Sequence, residues 1–255
     1  MDLSRHCILL NGEPRTLQID TIEKNGSNGY FVRFKNSSKC YTYGYDKVTW
    51  LSNPEWLDPT YCKVYVNGGL QYNVREIWKF AYGMKCYWRI VYTNGYVQDG
   101  DENKVKVLTS CLGEDVSKET FTYLKNVAIV NPLRDNEESN GILAKLYEKV
   151  EFVDTDTAAA CYLNPNKHKP MRLKHADLIY PFGCNASQKK AVAAAFEHQM
   201  SVIQGPPGTG KTQTILNIIA NIVCQGKTVM VVSNNNSATA NVHEKLEKYG
   251  TSFIV

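Results

Sequence analysis

Eight consecutive residues constrain this 255-residue chain more than any other stretch: Gly205-Pro206-Pro207-Gly208-Thr209-Gly210-Lys211-Thr212. They satisfy the pattern G-x-x-x-x-G-K-[ST] in full. The flanks fit as well. Met200–Gln204 reads as a short buried strand. Thr212–Cys224 reads as a helix with Ile215, Ile218, Ile219, Ile222 and Val223 on one side. A strand feeding a glycine loop and then a helix lets backbone N–H groups converge on a polyphosphate, with the helix N-terminus adding favourable field. In such a loop Lys211 reaches the β- and γ-phosphates and the Thr212 hydroxyl ligates Mg²⁺. These are the two residues expected to act in catalysis.

A helix is expected just upstream, over Gln188–His198, capped by Ser187 or Asn185. Gln188 lies in its first turn. A carboxamide offers one donor and one acceptor, matching the adenine amino group and N7. Downstream, Thr228–Val232 reads as a second strand, Ser233-Asn234-Asn235-Asn236-Ser237 as its terminal loop, Ala238–Tyr249 as a helix, and Ser252–Val255 as the start of a third strand. Alternation of this kind implies a parallel sheet with right-handed crossovers, and ligands at the carboxyl ends of its strands.

Residues 1–112 have a different character. Tyr30–Lys35 and Cys40–Tyr43 read as one hairpin, and Tyr87–Tyr92 with Tyr96-Val97, joined through Asn94-Gly95, as another. Each is followed by a similar run, Asp46–Leu51 and Asn103–Leu108, which hints at two related units of about 60 residues. Tyr61–Val66 with Asn67-Gly68-Gly69 suggests a further strand and turn, and Val74–Tyr82 a short helix. Closure into a small barrel would protect the strand edges. Aromatics interleaved with Arg33, Lys35, Lys63 and Arg89 suggest a stacking platform for single strands. A strand-rich core with an aromatic rim explains them better, because residues 1–130 carry 16 lysines and arginines against 14 acids.

The middle of the chain is expected to be a helical connector. Ser117 is the expected cap of one helix and Ser139 of a second, around the polar stretch 131–138. Lys167, Lys169, Arg172 and Lys174 fit a solvated linker better than a phosphate-binding run. The expected domains are therefore 1–112, 113–175 and 176–255. The fold class is α/β: an incomplete RecA-like P-loop core, preceded by a β-rich, small-barrel-like module and the connector. The eight cysteines include no C-x-x-C pair, so buried thiols are expected rather than a zinc site or disulfides. The polar N-terminus and the lack of a long apolar run point to a cytoplasmic protein.

Three segments in order, Asn185-Ala186-Ser187-Gln188, Gln204–Thr212 and Val231–Asn236, resemble the start of a superfamily 1 helicase of the Upf-like branch and its bacterial AAA-type relatives. The resemblance covers about residues 180–255. It implies that Gln188 contacts adenine. It also implies that the loop Gly205–Thr212 with the adjoining Gln213 holds ATP and Mg²⁺, and that Ser233, Asn234, Asn235 and Asn236 contact single-stranded nucleic acid. The last motif departs from the family pattern Ser-Asn-x-Ala-Val-Asp: Asn235 stands for the serine and Ala240 for the acid. In this motif a helix-capping role competes with strand contact. The acidic pair and the arginine that the family uses in hydrolysis are not among these 255 residues. The expected function is the ATP-binding N-terminal portion of a nucleic-acid helicase or translocase that needs later motifs for turnover. The alternatives are a regulatory module that binds nucleotide or a partner, and a P-loop ATPase that is not a helicase.

Overall fold

The structure, a computed structural model, describes residues 5–26, 28–130, 141–167 and 178–248. It divides into two compact units, residues 1–155 and 156–255. The division falls inside the stretch expected as a connector. The expected third strand at Ser252–Val255, the cap Ser139, the polar break 131–138, and Lys169, Arg172 and Lys174 lie outside the described residues.

The first unit is built from small antiparallel sheets. Its strands are β1 (Cys7–Leu10), β2 (Glu13–Pro14), β3 (Ile19–Lys24), β4 (Tyr30–Phe34), β5 (Cys40–Tyr43) and β6 (Val48–Leu51), then β7 (Glu55–Leu57), β8 (Cys62–Val66), β9 (Gly69–Gln71), β10 (Val74–Tyr82), β11 (Lys85–Tyr92), β12 (Val97–Asp101) and β13 (Val105–Thr109). They form four sheets, in the orders β2-β1-β6, β3-β4-β5, β13-β8-β9 and β12-β11-β10-β7.

The hinted repeat is real in three dimensions. In each half, the first strand pairs with a short hairpin partner and with the last strand, while the three strands between form a meander. Both hairpins turn on Asn-Gly. Asn11 and Gly12 have φ of 53° and 82°, and Asn67 and Gly68 have 49° and 81°, the positive pair that a two-residue turn between twisted strands requires. Asn11 N–H donates to Lys47 O at 2.9 Å, and Asn67 N–H donates to Lys104 O at 2.8 Å. The cores correspond by register. Ile8, Leu10, Ile19, Ile22, Val32 and Val48 fill the first, and Val64, Val66, Val74, Ile77, Ile90 and Val105 take the same places in the second.

The stretch Val74–Tyr82 is strand β10, correcting the helix expected there. Ile77 faces the second core, while Trp78 and Phe80 take part in a third cluster with Cys7, Leu9, Leu51 and Tyr87. A strand covered on both faces loses the polar alternation that marks a strand in sequence. That third cluster joins the two repeats. At its edge Arg89 and Asp99, cross-strand neighbours on β11 and β12, make a two-pronged ion pair of 2.7 and 2.8 Å. Burial alone would lower the Arg89 pKa, but the Asp99 hydrogen bonds and charge outweigh it and hold the guanidinium above its ordinary value. Arg33 pairs with Asp20, and Lys63 lies 4.4 Å over the Phe152 ring. Three of the four cations of the stacking platform thus have intramolecular partners.

Helices α1 (Asp115–Val130) and α2 (Ile142–Glu148) pack Phe121 against Tyr147. Ser117 lies inside α1, fully buried; the helix starts two residues earlier, so Ser117 is not its cap. The chain then returns to the sheets, where Cys111 N–H donates to Val153 O and Thr155 N–H to Thr109 O.

The second unit contains α3 (Ala158–Leu163), α4 (Ala186–Glu197), α5 (Lys211–Cys224) and α6 (Asn236–Glu247). Leu216 and Ile219 of α5 pack against Val242 and Leu246 of α6 and against Phe182. The strands expected at Met200–Gln204 and Thr228–Val232 are not formed among the described residues. A strand exists only by pairing with a neighbour, and these two segments do not pair with each other. Their side chains are correspondingly open: Val202 is 77% and Val232 76% exposed.

The buried face of α5 carries two asparagines one turn apart. The Asn217 carboxamide accepts from Phe182 N–H at 3.2 Å and donates to Gly183 O at 3.0 Å. That of Asn221 accepts from Ile179 N–H at 2.9 Å and donates to Ile179 O at 2.7 Å. The pair imitates the edge of a β-strand and clips the segment 179–183 to the helix. Asn217→Leu is expected to destabilise the second unit by about 2 kcal/mol, because it removes both bonds that the part-buried Asn217 carboxamide makes to Phe182 N–H and Gly183 O. Urea unfolding followed by circular dichroism checks this; an unchanged midpoint would remove the clip from the account.

Candidate functional site

The loop Gly205–Thr212 leads directly into α5, whose first residue is Lys211. Gly208 and Gly210 have φ of 82° and 77°, in the left-handed region that glycine enters without strain. Gly210 is the N-cap, and a Cβ there would come within 2.2 Å of Gln188 Nε2. The loop therefore needs glycine at 210 for its backbone angle and for the approach of a neighbour. The Thr209 hydroxyl donates to Pro206 O at 2.8 Å and braces the turn. Lys211 folds back over the loop, its ammonium 2.5 Å from Gly205 O and 2.8 Å from Pro206 O. The loop thus already holds a cation against its own carbonyls, with the N-terminus of a 14-residue helix beside it.

Gln188 stands next to this loop. Asn185, not Ser187, caps α4: its side chain accepts from Gln188 N–H at 2.9 Å, and the Gln188 carbonyl oxygen accepts from Asn185 N–H at 2.9 Å. This is a reciprocal capping box. The Gln188 amide nitrogen donates to Thr209 O at 3.1 Å and Gly210 O at 3.4 Å. Sequence reasoning placed Gln188 near the nucleotide and missed that both ends of its amide are engaged, one in the helix cap and one on the phosphate loop. The signal was available in Asn185-x-x-Gln188, a capping-box spacing. Beside it, the Lys189 ammonium lies 5.4 Å from the centre of the Tyr180 ring. Gln213, one residue into α5 beyond Thr212, is exposed, with its carbonyl oxygen 2.9 Å from where a Gly210 Cβ would stand.

The asparagine run lies at the start of α6 and is exposed throughout. Asn235 is the helix cap, its side chain accepting from Ser237 N–H at 2.9 Å and from the Ser237 hydroxyl at 2.8 Å. The Ser233 hydroxyl accepts from Asn235 N–H. The capping role anticipated for this run thus falls on Asn235, which leaves Ser233, Asn234 and Asn236 as the accessible polar groups beside it.

An AAA domain family profile matches residues 183–253, the stretch that contains the capping box, the loop and the asparagine run. The matched segment is similar to the N-terminal part of superfamily 1, Upf-like helicase domains. Over 71 residues it is 41% identical to DNA polymerase alpha-associated DNA helicase A of Schizosaccharomyces pombe, covering 28% of this chain and 11% of that protein. It is 44% identical over 69 residues to DNA-binding protein SMUBP-2 of Mus musculus, 27% of this chain and 7% of that one. It is 43% identical over 65 residues to the regulator of nonsense transcripts 1 homolog of Drosophila melanogaster, 25% of this chain and 6% of that one. The match thus spans about a tenth or less of the length of these relatives. No solved structure matches the chain significantly. Among the described residues no helix is long and apolar enough to cross a membrane.

Proposed function

We propose that this chain is the ATP-binding N-terminal portion of an ATP-dependent nucleic-acid helicase or translocase with a RecA-like P-loop core. The observation that carries the reading is the loop itself: left-handed glycines at 208 and 210, a lysine already poised over the loop, and a long helix starting at that lysine. The donor set suits a polyphosphate. Backbone N–H groups of Gly208–Lys211 and the Lys211 ammonium would hold the phosphates, and the Thr212 hydroxyl would ligate the accompanying Mg²⁺. Bound ATP supplies the phosphoanhydride whose cleavage drives such motors. Lys211 meets the phosphates only by leaving the carbonyls of Gly205 and Pro206, so binding exchanges two intramolecular contacts for charged ones. Gln188 reads adenine by giving up its loop carbonyls, which ties base recognition to the state of the phosphate loop.

The strand-binding surface is assigned to Asn234, Asn236 and Ser233, with Asn235 shaping the helix start that presents them. Asn234→Ala/Asn236→Ala is expected to weaken binding of a labelled single-stranded oligonucleotide about tenfold while ATP affinity stays unchanged, since exposed amides donate to phosphates and bases. Fluorescence anisotropy at fixed salt measures it. Undiminished oligonucleotide affinity in the double variant would take the run out of the nucleic-acid site.

A further inference from the structure

A cavity of about 320 Å³ lies in the first unit, where its two repeats meet. The first repeat contributes Leu17 and Lys35 to its wall, and the second contributes Arg75, Glu76, Trp78, Arg89, Val91 and Val97. Its floor is the outer face of the β10-β11-β12 meander. The same face is sealed at its other end by Phe80, Tyr87, Cys7, Leu9 and Leu51. One end of the inter-repeat seam is therefore an apolar core and the other is open and charged.

The Arg89–Asp99 pair stands at the boundary, with side chains only 5% and 4% exposed. Replacing such a buried pair by apolar residues is often neutral or stabilising, so stability alone does not account for a charged wall in an otherwise apolar seam. The volume is at the lower end of those that bind small ligands or anchor side chains. Both Glu76 carboxylate oxygens are in use: one accepts from the Trp78 indole N–H at 3.0 Å, the other from Arg75 Nε at 3.1 Å. Arg75 itself is about half exposed, so this contact with Glu76 is a weak, solvent-screened one that a second carboxylate can share. Lys35 is exposed and makes no ion pair with any described residue.

We propose that this cavity is a docking site for a protein partner, taking an extended acidic segment with one aromatic side chain. The aromatic ring enters between Trp78, Val91 and Val97, and flanking carboxylates meet Lys35 and Arg75 at the rim. A peptide fits better than a nucleic-acid strand. A strand needs several phosphates neutralised along its path, whereas residues 1–130 are nearly balanced in charge and only two exposed cations border the cavity. The site is independent of the nucleotide loop.

The probe is a fluorescein-labelled pentapeptide with glutamates flanking one phenylalanine, titrated into the whole chain by fluorescence anisotropy, with a matched alanine-centred peptide and a labelled dodecathymidylate as further arms. The phenylalanine peptide is expected to bind in a salt-sensitive manner. Lys35→Glu/Arg75→Glu is expected to weaken it at least about tenfold, and Trp78→Leu or the alanine peptide to weaken it comparably. The rim variant changes only exposed side chains, and its melting temperature and ATP binding, measured in the same samples, are expected to match the parent. Three outcomes overturn the site: no peptide binding, peptide binding indifferent to the rim variant, or dodecathymidylate binding that the rim variant abolishes in the absence of peptide binding. None of these touches the assignment of the nucleotide loop, which is tested separately by ATP binding and its dependence on Lys211.

Discussion

Substituting Lys211 with alanine is expected to lower the affinity of this chain for ATP about a hundredfold. The ammonium is a cationic side chain held over the loop, 2.5 and 2.8 Å from two of its carbonyls. A hydrogen bond to a charged group contributes about 1.5–3 kcal/mol, and here at least one such bond to phosphate disappears with the charge. Isothermal titration with Mg·ATP measures the loss, and inorganic tripolyphosphate should lose affinity by a similar factor, because the role proposed for Lys211 is toward phosphate and not base. A Lys211→Ala protein that binds ATP as tightly as the parent would remove the loop from nucleotide binding altogether. The fold should survive: Lys211 is only half-buried, and α5 is held by Leu216, Ile219, Asn217 and Asn221 rather than by its first residue.

Gln188→Ala is expected to separate the two halves of the ligand. Affinity for ATP should fall about tenfold, affinity for GTP much less, and affinity for tripolyphosphate should hold or rise. The first effect follows from loss of the group that matches adenine. The last follows because tripolyphosphate carries no base for the Gln188 amide to meet: its nitrogen donates to Thr209 O and Gly210 O, and losing that brace removes no group that meets phosphate while freeing the loop to close on it. The truncation also opens the capping box, so α4 should lose about 1 kcal/mol of stability. Competition titrations with the three ligands, beside a thermal melt, distinguish these effects. Equal losses for ATP and GTP would leave Gln188 as a purely structural cap.

Much of the site was legible because its requirements are local. A loop that curls around phosphate must place glycine where φ is positive and lysine at the helix start, and Gly208, Gly210 and Lys211 show this in eight letters. The hairpins at Asn67-Gly68 and Asn94-Gly95 were equally plain, since turn geometry selects those residues. What escaped was whatever depends on a distant neighbour. Strand β10 was misread because the second repeat's own core covers one of its faces and the seam between the repeats covers the other. Met200–Gln204 and Thr228–Val232 have strand-like composition, yet composition cannot supply the adjacent strand that a ladder needs. Asn217 and Asn221 were not among the residues read as the packed side of this helix, yet they are buried with Leu216 and Thr214; only the segment 179–183 reveals why a polar pair belongs there. Gln188 was singled out as an adenine contact, and what the structure adds is its place in a helix cap and on the loop.

The alternation along β1 has a consequence for how the first unit comes apart. Ile8 and Leu10 belong to the core of the first repeat, while Cys7 and Leu9 belong to the seam that holds the second repeat against it. Burial pushes the Cys7 thiol up to about 12, with the nearby Asp99 charge adding to the effect, so it serves there as an apolar group and not a nucleophile. A four-residue strand with no solvent face is a shared wall. It cannot peel away from one repeat while remaining docked on the other. The two halves, although each repeats the other's plan, are therefore expected to melt as one cooperative body rather than as independent copies.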